Sequence, residues 1–315
     1  MKKIIAFLIA SLMLLSGCGN KDNVSSTKDI KETKLSIVCT VFPSYDFARE
    51  IVGDKGEVTL LLPPNAESHS FSPTLSDIAL IEECDLFIYV GGEIDPWALE
   101  VIENSNNTDR INLSLLDVIG VDEHTHEDGH ASITITDFTD EADEHVWTSI
   151  SNSIKIVNSI ADMLVKIDKP NEITYSLTKA EYVNKLTELK SEFQKTVDEA
   201  ASDTLVFADR FPFYWFAKDF SLKSVAALDG CSSDTEPTLT QLKTVIDEVT
   251  ENNIPVVLYI ESSDGKIADK VVAETNAKKR LFHSCHNVSK EELDNGESYI
   301  SLMQKNLVVL KEALG

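Results

Sequence analysis

Seven histidines carry the most distinctive chemistry of this chain, and none falls inside a helical pattern. His69 follows a strand-like run and the break Pro63-Pro64. His145 closes an acidic stretch just ahead of a helical run, and His283 and His286 follow the last strand-like run. His124, His126 and His130 crowd one loop with Asp122, Glu123, Glu127 and Asp128, and no Lys or Arg occurs from there to Glu144. A lone His is more often a surface or core residue than a ligand. Here several strand-end loops carry His or carboxylate together: Glu67 with His69, Asp209, Glu261, and His283. Imidazole with carboxylate suits Zn²⁺ and, with more oxygen, Mn²⁺. The His-rich loop is a second, compositional metal signal, set against the plainer alternative of a solvated acidic loop. A secreted zinc hydrolase would need an open coordination site and a general base. The chain has no His-Glu-x-x-His, no Gly-x-Ser-x-Gly and no phosphate-binding Gly loop, so it is not expected to be an enzyme.

The elements that must position these residues alternate between strand and helix. Strand-like runs span 35–42, 57–62, 85–90 and 110–116, with helical runs over 45–52, 74–83 and 96–103 between them. After the acidic stretch 122–144, helical runs cover 149–165 and then a long one from Asn171, with no Gly or Pro before Ala201. Its apolar residues Val183, Leu186, Leu189, Phe193 and Val197 recur at helical spacing. Alternation then resumes, with strands over 204–208, 224–228, 256–260 and 280–282 and helices over 214–219, 239–251, 267–276 and 299–314. The expected fold is α/β: two lobes with parallel sheets, 35–169 and 201–315, joined by one rigid helix over 170–200. Ligands of open α/β sheets bind beyond the carboxyl ends of the strands, so the metal site is expected in the cleft between the lobes.

The N-terminus sets the compartment. Lys2 and Lys3 precede the apolar run Ile4 to Leu15, which is too short to span a membrane and reads as a signal peptide over 1–17. Leu15-Ser16-Gly17-Cys18 resembles a bacterial lipobox, with Cys18 as the lipidated residue. Residues 18–34 are polar and read as a flexible tether to the outer face of the cell membrane. The formal charge of −25 argues against nucleic acid and against docking on anionic lipid, and suits cations. Cys39 and Cys84 lie in or beside apolar runs and read as buried thiols, whereas Cys231 and Cys285 lie in loop-like contexts where a pair could form.

The motifs resemble the zinc/manganese substrate-binding lipoproteins of bacterial ABC transporters, the ZnuA/AdcA/TroA type, from Leu35 to Gly315. Pro63-Pro-Asn-Ala-Glu-Ser-His-Ser-Phe-Ser-Pro73 with Asp77 is similar to that family's first ligand motif, and Asp143-Glu-His-Val-Trp147 to its Asp-Pro-His-x-Trp motif. Asp85 to Gly92 with Pro96-Trp97, the uninterrupted helix, Glu261 to Ser263 and Gly296 to Tyr299 also fit. The resemblance implies His69 and His145 as ligands. Its third ligand, His or Glu, falls on Ala208-Asp209-Arg210-Phe211; Arg cannot ligate, which favours Asp209. Its fourth aligns with His283-Ser284, with His286 as the alternate. The implied set is His69, His145, Asp209 and His283, with Glu67 and Glu261 orienting imidazoles and Arg210 holding Asp209. The implied function is capture of Zn²⁺, with Mn²⁺ as the rival cargo, and delivery to an ABC permease by a monomer. A zinc hydrolase and an adhesin are the alternatives from other classes.

Overall fold

Short runs of β-branched and apolar residues pair in parallel and build two sheets of the same strand order. The computed structural model describes residues 34–121, 143–228, 236–261 and 263–315. The first lobe runs β1 (Leu35–Cys39), α1 (Phe42–Val52), β2 (Gly56–Leu60), α2 (Leu75–Glu83), β3 (Leu86–Tyr89), α3 (Trp97–Glu103), β4 (Ile111–Ser114) and α4 (Leu115–Ile119). Two helices follow, α5 (Ile150–Ile167) and α6 (Glu172–Asp198). The second lobe runs β5 (Thr204–Phe207), α7 (Tyr214–Phe220), β6 (Lys223–Ala226), α8 (Leu239–Glu251), β7 (Val256–Tyr259), α9 (Lys266–Glu274), β8 (Lys278–Leu281), α10 (Lys290–Asp294) and α11 (Tyr299–Leu314).

The sheets have orders β2-β1-β3-β4 and β6-β5-β7-β8, and every pair is parallel. Each therefore reverses its winding beside its first strand, where α/β folds open a crevice at the carboxyl edge. The duplication reaches the helix starts. Pro73-Thr-Leu-Ser-Asp77 and Pro237-Thr-Leu-Thr-Gln241 begin α2 and α8, and Thr74 and Thr238 each form a capping box with the residue three positions on.

The expected strands and helices all occur, shifted by a few residues at their ends. Pro43 lies in the first turn of α1 rather than closing a strand, a position where its missing N–H costs nothing. Two short helices, α4 and α10, lie where the sequence showed no helical period; each is capped by a serine, Ser114 and Ser289. The long helix α6 has 27 residues and buries Tyr175, Tyr182, Leu186, Leu189 and Phe193. Its flanks reach both lobes, packing on α1 and α5 and also on α7 and α11. One apolar core runs through both lobes from Ile37 to Leu314, with Trp147, Phe193 and Phe282 fully buried in it.

Behind the cleft the lobes are tied by polar contacts as well. The buried Asp46 of α1 accepts hydrogen bonds from the Tyr299 backbone N–H at 2.8 Å and the Tyr182 hydroxyl at 3.2 Å. The Tyr299 hydroxyl donates to the Trp147 carbonyl at 2.7 Å. No helix among the described residues is long and apolar enough to cross a membrane. Cys39, Cys84 and Cys285 are buried free thiols, and burial pushes the Cys84 thiol up to about 12. Cys231, proposed as a partner for Cys285, lies outside the described residues, as do Cys18 and the loop histidines His124, His126 and His130.

Candidate metal centre

His69 rides on a single helical turn, Ser68–Ser70, in the loop that leaves β2 and leads to α2. Both of its ring nitrogens are buried and lack a hydrogen-bond partner among the described residues. Buried polar atoms are nearly always bonded, so such an imidazole points to a ligand. His145 immediately precedes the turn Val146–Thr148 that leads into α5. Asp143 fixes its ring, with Oδ1 at 2.7 Å from Nδ1 and 2.8 Å from the His145 backbone N–H. That carboxylate holds the tautomer that presents Nε2 to a metal. His286 arrives from the other lobe, on the loop between β8 and α10, and its Nε2 meets the Ser68 hydroxyl.

The three rings converge. Their centroids lie 5.7 Å apart for His69 and His145, 5.6 Å for His69 and His286, and 5.0 Å for His145 and His286. One nitrogen from each lies within 4.8 Å of the others, and this is the only such cluster among the described residues. A Zn²⁺ with nitrogen ligands at about 2 Å would sit among them in a tetrahedral arrangement.

Asp209, His283, Glu67, Glu261 and Arg210 stand outside this group of three imidazoles. Asp209 is buried and spends its carboxylate on backbone: Oδ1 accepts from Arg210 N–H at 2.8 Å and Oδ2 from Ile260 N–H at 3.3 Å. It thereby ties the end of β5 to the end of β7. Arg210 extends to Glu67, with Nη1 at 3.1 Å from Oε2. His283 is buried, and its Nδ1 accepts from the Cys285 backbone N–H at 2.9 Å. It stands between Glu261 and Glu292, 3.6 Å from each. Burial alone would lower its pKa, but the two carboxylates outweigh that and raise it. The same contact helps hold Glu292 down at about 2. Cys285, at φ 60°, turns the chain between the two histidines, so His283 faces the carboxylates and His286 faces the cleft. Glu261 braces this loop: it accepts from Ser284 N–H at 2.8 Å, Ser284 Oγ at 2.6 Å and His286 N–H at 3.2 Å.

Electrostatics at the cluster favour neutral imidazole, the form that ligates. Burial, then His145, hold His69 below its ordinary pKa; Glu67 pulls the other way and Arg210 adds to the lowering. Burial, then His145, His69 and Arg210, push His286 well below.

Three further residues that the sequence reading did not single out shape the site. Glu144, beside His145, is buried and accepts from the backbone N–H groups of Glu93 and Ile94 after β3. Burial raises its pKa to about 7. Gly92, at φ +64°, makes room for it: a Cβ there would collide with the Glu144 carboxylate. Asn306 of α11 grips the His283 backbone, accepting from its N–H and donating to its carbonyl, both at 2.7 Å. Asn287 crosses to the opposite lobe, donating to the carbonyls of Pro63 at 2.7 Å and Ala66 at 2.8 Å. Only the Asp-Glu-His run hinted at Glu144; the two asparagines act through loop geometry that no local pattern encodes.

The chain is 33% identical over 310 residues to the high-affinity zinc uptake system protein ZnuA of Bacillus subtilis, covering 98% of this chain and 96% of that protein. It is 29% identical to the zinc-binding lipoprotein AdcA of Streptococcus pneumoniae, of which it spans 61% of the length. The crystal structure of the metal-dependent lipoprotein YcdH from Bacillus subtilis superposes with a TM-score of 0.76 at 31% identity, covering 90% of this chain and all of that one. The Zn(II)-bound ZnuA-like domain of Streptococcus pneumoniae AdcA follows at a TM-score of 0.73 and 26% identity, covering 90% of this chain and 99% of that one. The family model for the periplasmic zinc-uptake complex component A, ZnuA, matches residues 37–313. The chain belongs to this ZnuA family, whose members are solute-binding components of transporters and not enzymes.

Proposed function

We propose that this protein captures Zn²⁺ through His69, His145 and His286 and delivers it to an ABC permease. The observation that carries the assignment is the convergence of three imidazoles, two from one lobe and one from the other, on one point. Three nitrogen donors select Zn²⁺ over Mn²⁺, which prefers oxygen. Mn²⁺ therefore stands as the weaker cargo. Asp209 and His283 serve the site indirectly, Asp209 by tying β5 to β7 and His283 by shaping the loop that carries His286.

Three protein donors among the described residues leave one tetrahedral position for water or another ligand. In a carrier, that position is where a receiving ligand enters as the ion is passed on. ZnuA-type proteins work with ABC permease components. A lipid on Cys18 and the tether over 18–34 would keep this monomer beside its permease on the outer face of the membrane. The His124, His126 and His130 loop would raise the local Zn²⁺ concentration. The test is metal content and affinity of the purified protein. One tightly bound Zn²⁺ per chain, lost in His286→Ala, supports the assignment; tight binding that survives that change removes it.

A further inference from the structure

The loop that carries His286 is pinned from both sides of the cleft. Its own lobe holds it through Glu261 and Asn306. The opposite lobe holds it through Trp147, whose Nε1 donates to the Ser284 carbonyl at 2.9 Å, and through Asn287. Asn287 is 7% exposed, and its amide is fully used. Oδ1 accepts from the Val288 N–H at 2.8 Å, while Nδ2 bridges the Pro63 and Ala66 carbonyls. Those carbonyls bound the tight turn just before His69, in which Ala66 N–H reaches the Pro63 carbonyl and Asn65 takes φ 64°. Asn65 N–H in turn donates to the Val288 carbonyl at 3.0 Å.

The back of the cleft is closed by a continuous core and by the Asp46, Tyr182, Tyr299 and Trp147 contacts. Swinging the lobes apart would break all of these. Separating the two front loops breaks fewer contacts: the Asn65–Val288 backbone bond, the Ser68–His286 contact and the two bonds of the Asn287 amide, which make up most of the side-chain link. We propose that Asn287 is a latch: a positioning residue that fixes the spacing of His69 and His286 and whose two cross-lobe hydrogen bonds must open for the ion to leave. The proposal rests on His69 and His286 being ligands. Release is then a local parting of the loops around residues 63–69 and 284–288, with the lobes otherwise fixed.

Asn287→Asp is the sharp test. It keeps the side-chain shape and the acceptor for Val288 N–H, but sets a carboxylate against two carbonyls. Asn287→Ala removes the donors without adding charge. Zn²⁺ dissociation is followed by transfer to an excess of chromophoric chelator, and coordination by the visible absorption of the Co²⁺-loaded protein. In both variants dissociation should quicken roughly ten- to a hundredfold, as expected for loss of two buried hydrogen bonds, with more effect in Asp. The Co²⁺ band should persist, because all three imidazoles remain. Unchanged dissociation in both variants, even with a lower unfolding temperature, overturns the latch. If His286→Ala also retains tight Zn²⁺, the ligand assignment falls instead.

Discussion

His145 and His286 belong to different lobes, yet their rings meet edge to face with centroids 5.0 Å apart. His283, three residues before His286 in the chain, faces Glu261 and Glu292 instead. The two histidines of this loop therefore answer differently to substitution. His286→Ala should lower Zn²⁺ affinity as severely as His69→Ala, by roughly a hundredfold or more, through loss of a direct ligand. His283→Ala should cost stability of about 1–3 kcal/mol by stripping the Cys285 N–H of its acceptor, with a smaller effect on Zn²⁺. Chelator competition alongside thermal melts separates the two, and equal affinity losses would refute the distinction.

Glu261 touches no imidazole nitrogen of the cluster but holds the backbone on both sides of Cys285. Glu261→Ala should therefore weaken Zn²⁺ roughly ten- to a hundredfold, as loss of an orienting partner does at metal sites. Isothermal titration would detect this, and full wild-type affinity would show that the loop holds its shape without the carboxylate.

The pH response follows from two depressed histidines. His69 and His286 stay neutral below the ordinary value of about 6.5, so Zn²⁺ loss should set in only below that value, as pH falls through their folded pKa values. In the metal-free protein the same groups contribute stability that is present above about 6.5 and lost on further acidification through those values. Glu144 acts with the opposite sign. Its folded pKa of about 7 lies above the ordinary 4.5, so its contribution is present below 4.5 and lost as pH rises through 7. Glu144→Gln should accordingly gain on the wild type in melting temperature between pH 5 and pH 8. Dialysis against buffers of stepped pH, and paired melts, check both halves.

Gly92→Ala should disturb the site from a distance. The substitution forces a Cβ into a left-handed backbone position and against Glu144. The backbone term alone is about 1–2 kcal/mol, which lowers the melting temperature by about 2–4 °C in a protein of this size. Displacing Glu144 also moves the adjacent His145, so Zn²⁺ affinity should fall along with stability. A melting temperature equal to wild type would contradict the packing described.

The fold was largely legible in the chain because parallel α/β construction writes itself as alternating periods. The length of α6 could be read from the absence of Gly and Pro. Short helices such as α10 escaped because five residues carry no period; their signal is the Ser289 cap with Glu292 three positions on. Within the site, His69 and His145 stood out through the motifs around them. The loop after β8 was harder. Which of His283 and His286 turns inward depends on the left-handed Cys285 between them and on the Glu261 carboxylate, neither of which leaves a trace in spacing. Asp209 was favoured because the family's third ligand position falls on Ala208 to Phe211, where Arg210 cannot ligate; its carboxylate accepts from backbone N–H groups at two strand ends.

The three imidazoles proposed as ligands are divided between the lobes, His69 and His145 on one and His286 on the other. Neither half owns the full donor set, so on this assignment a retained ion reports that the two halves have folded against each other.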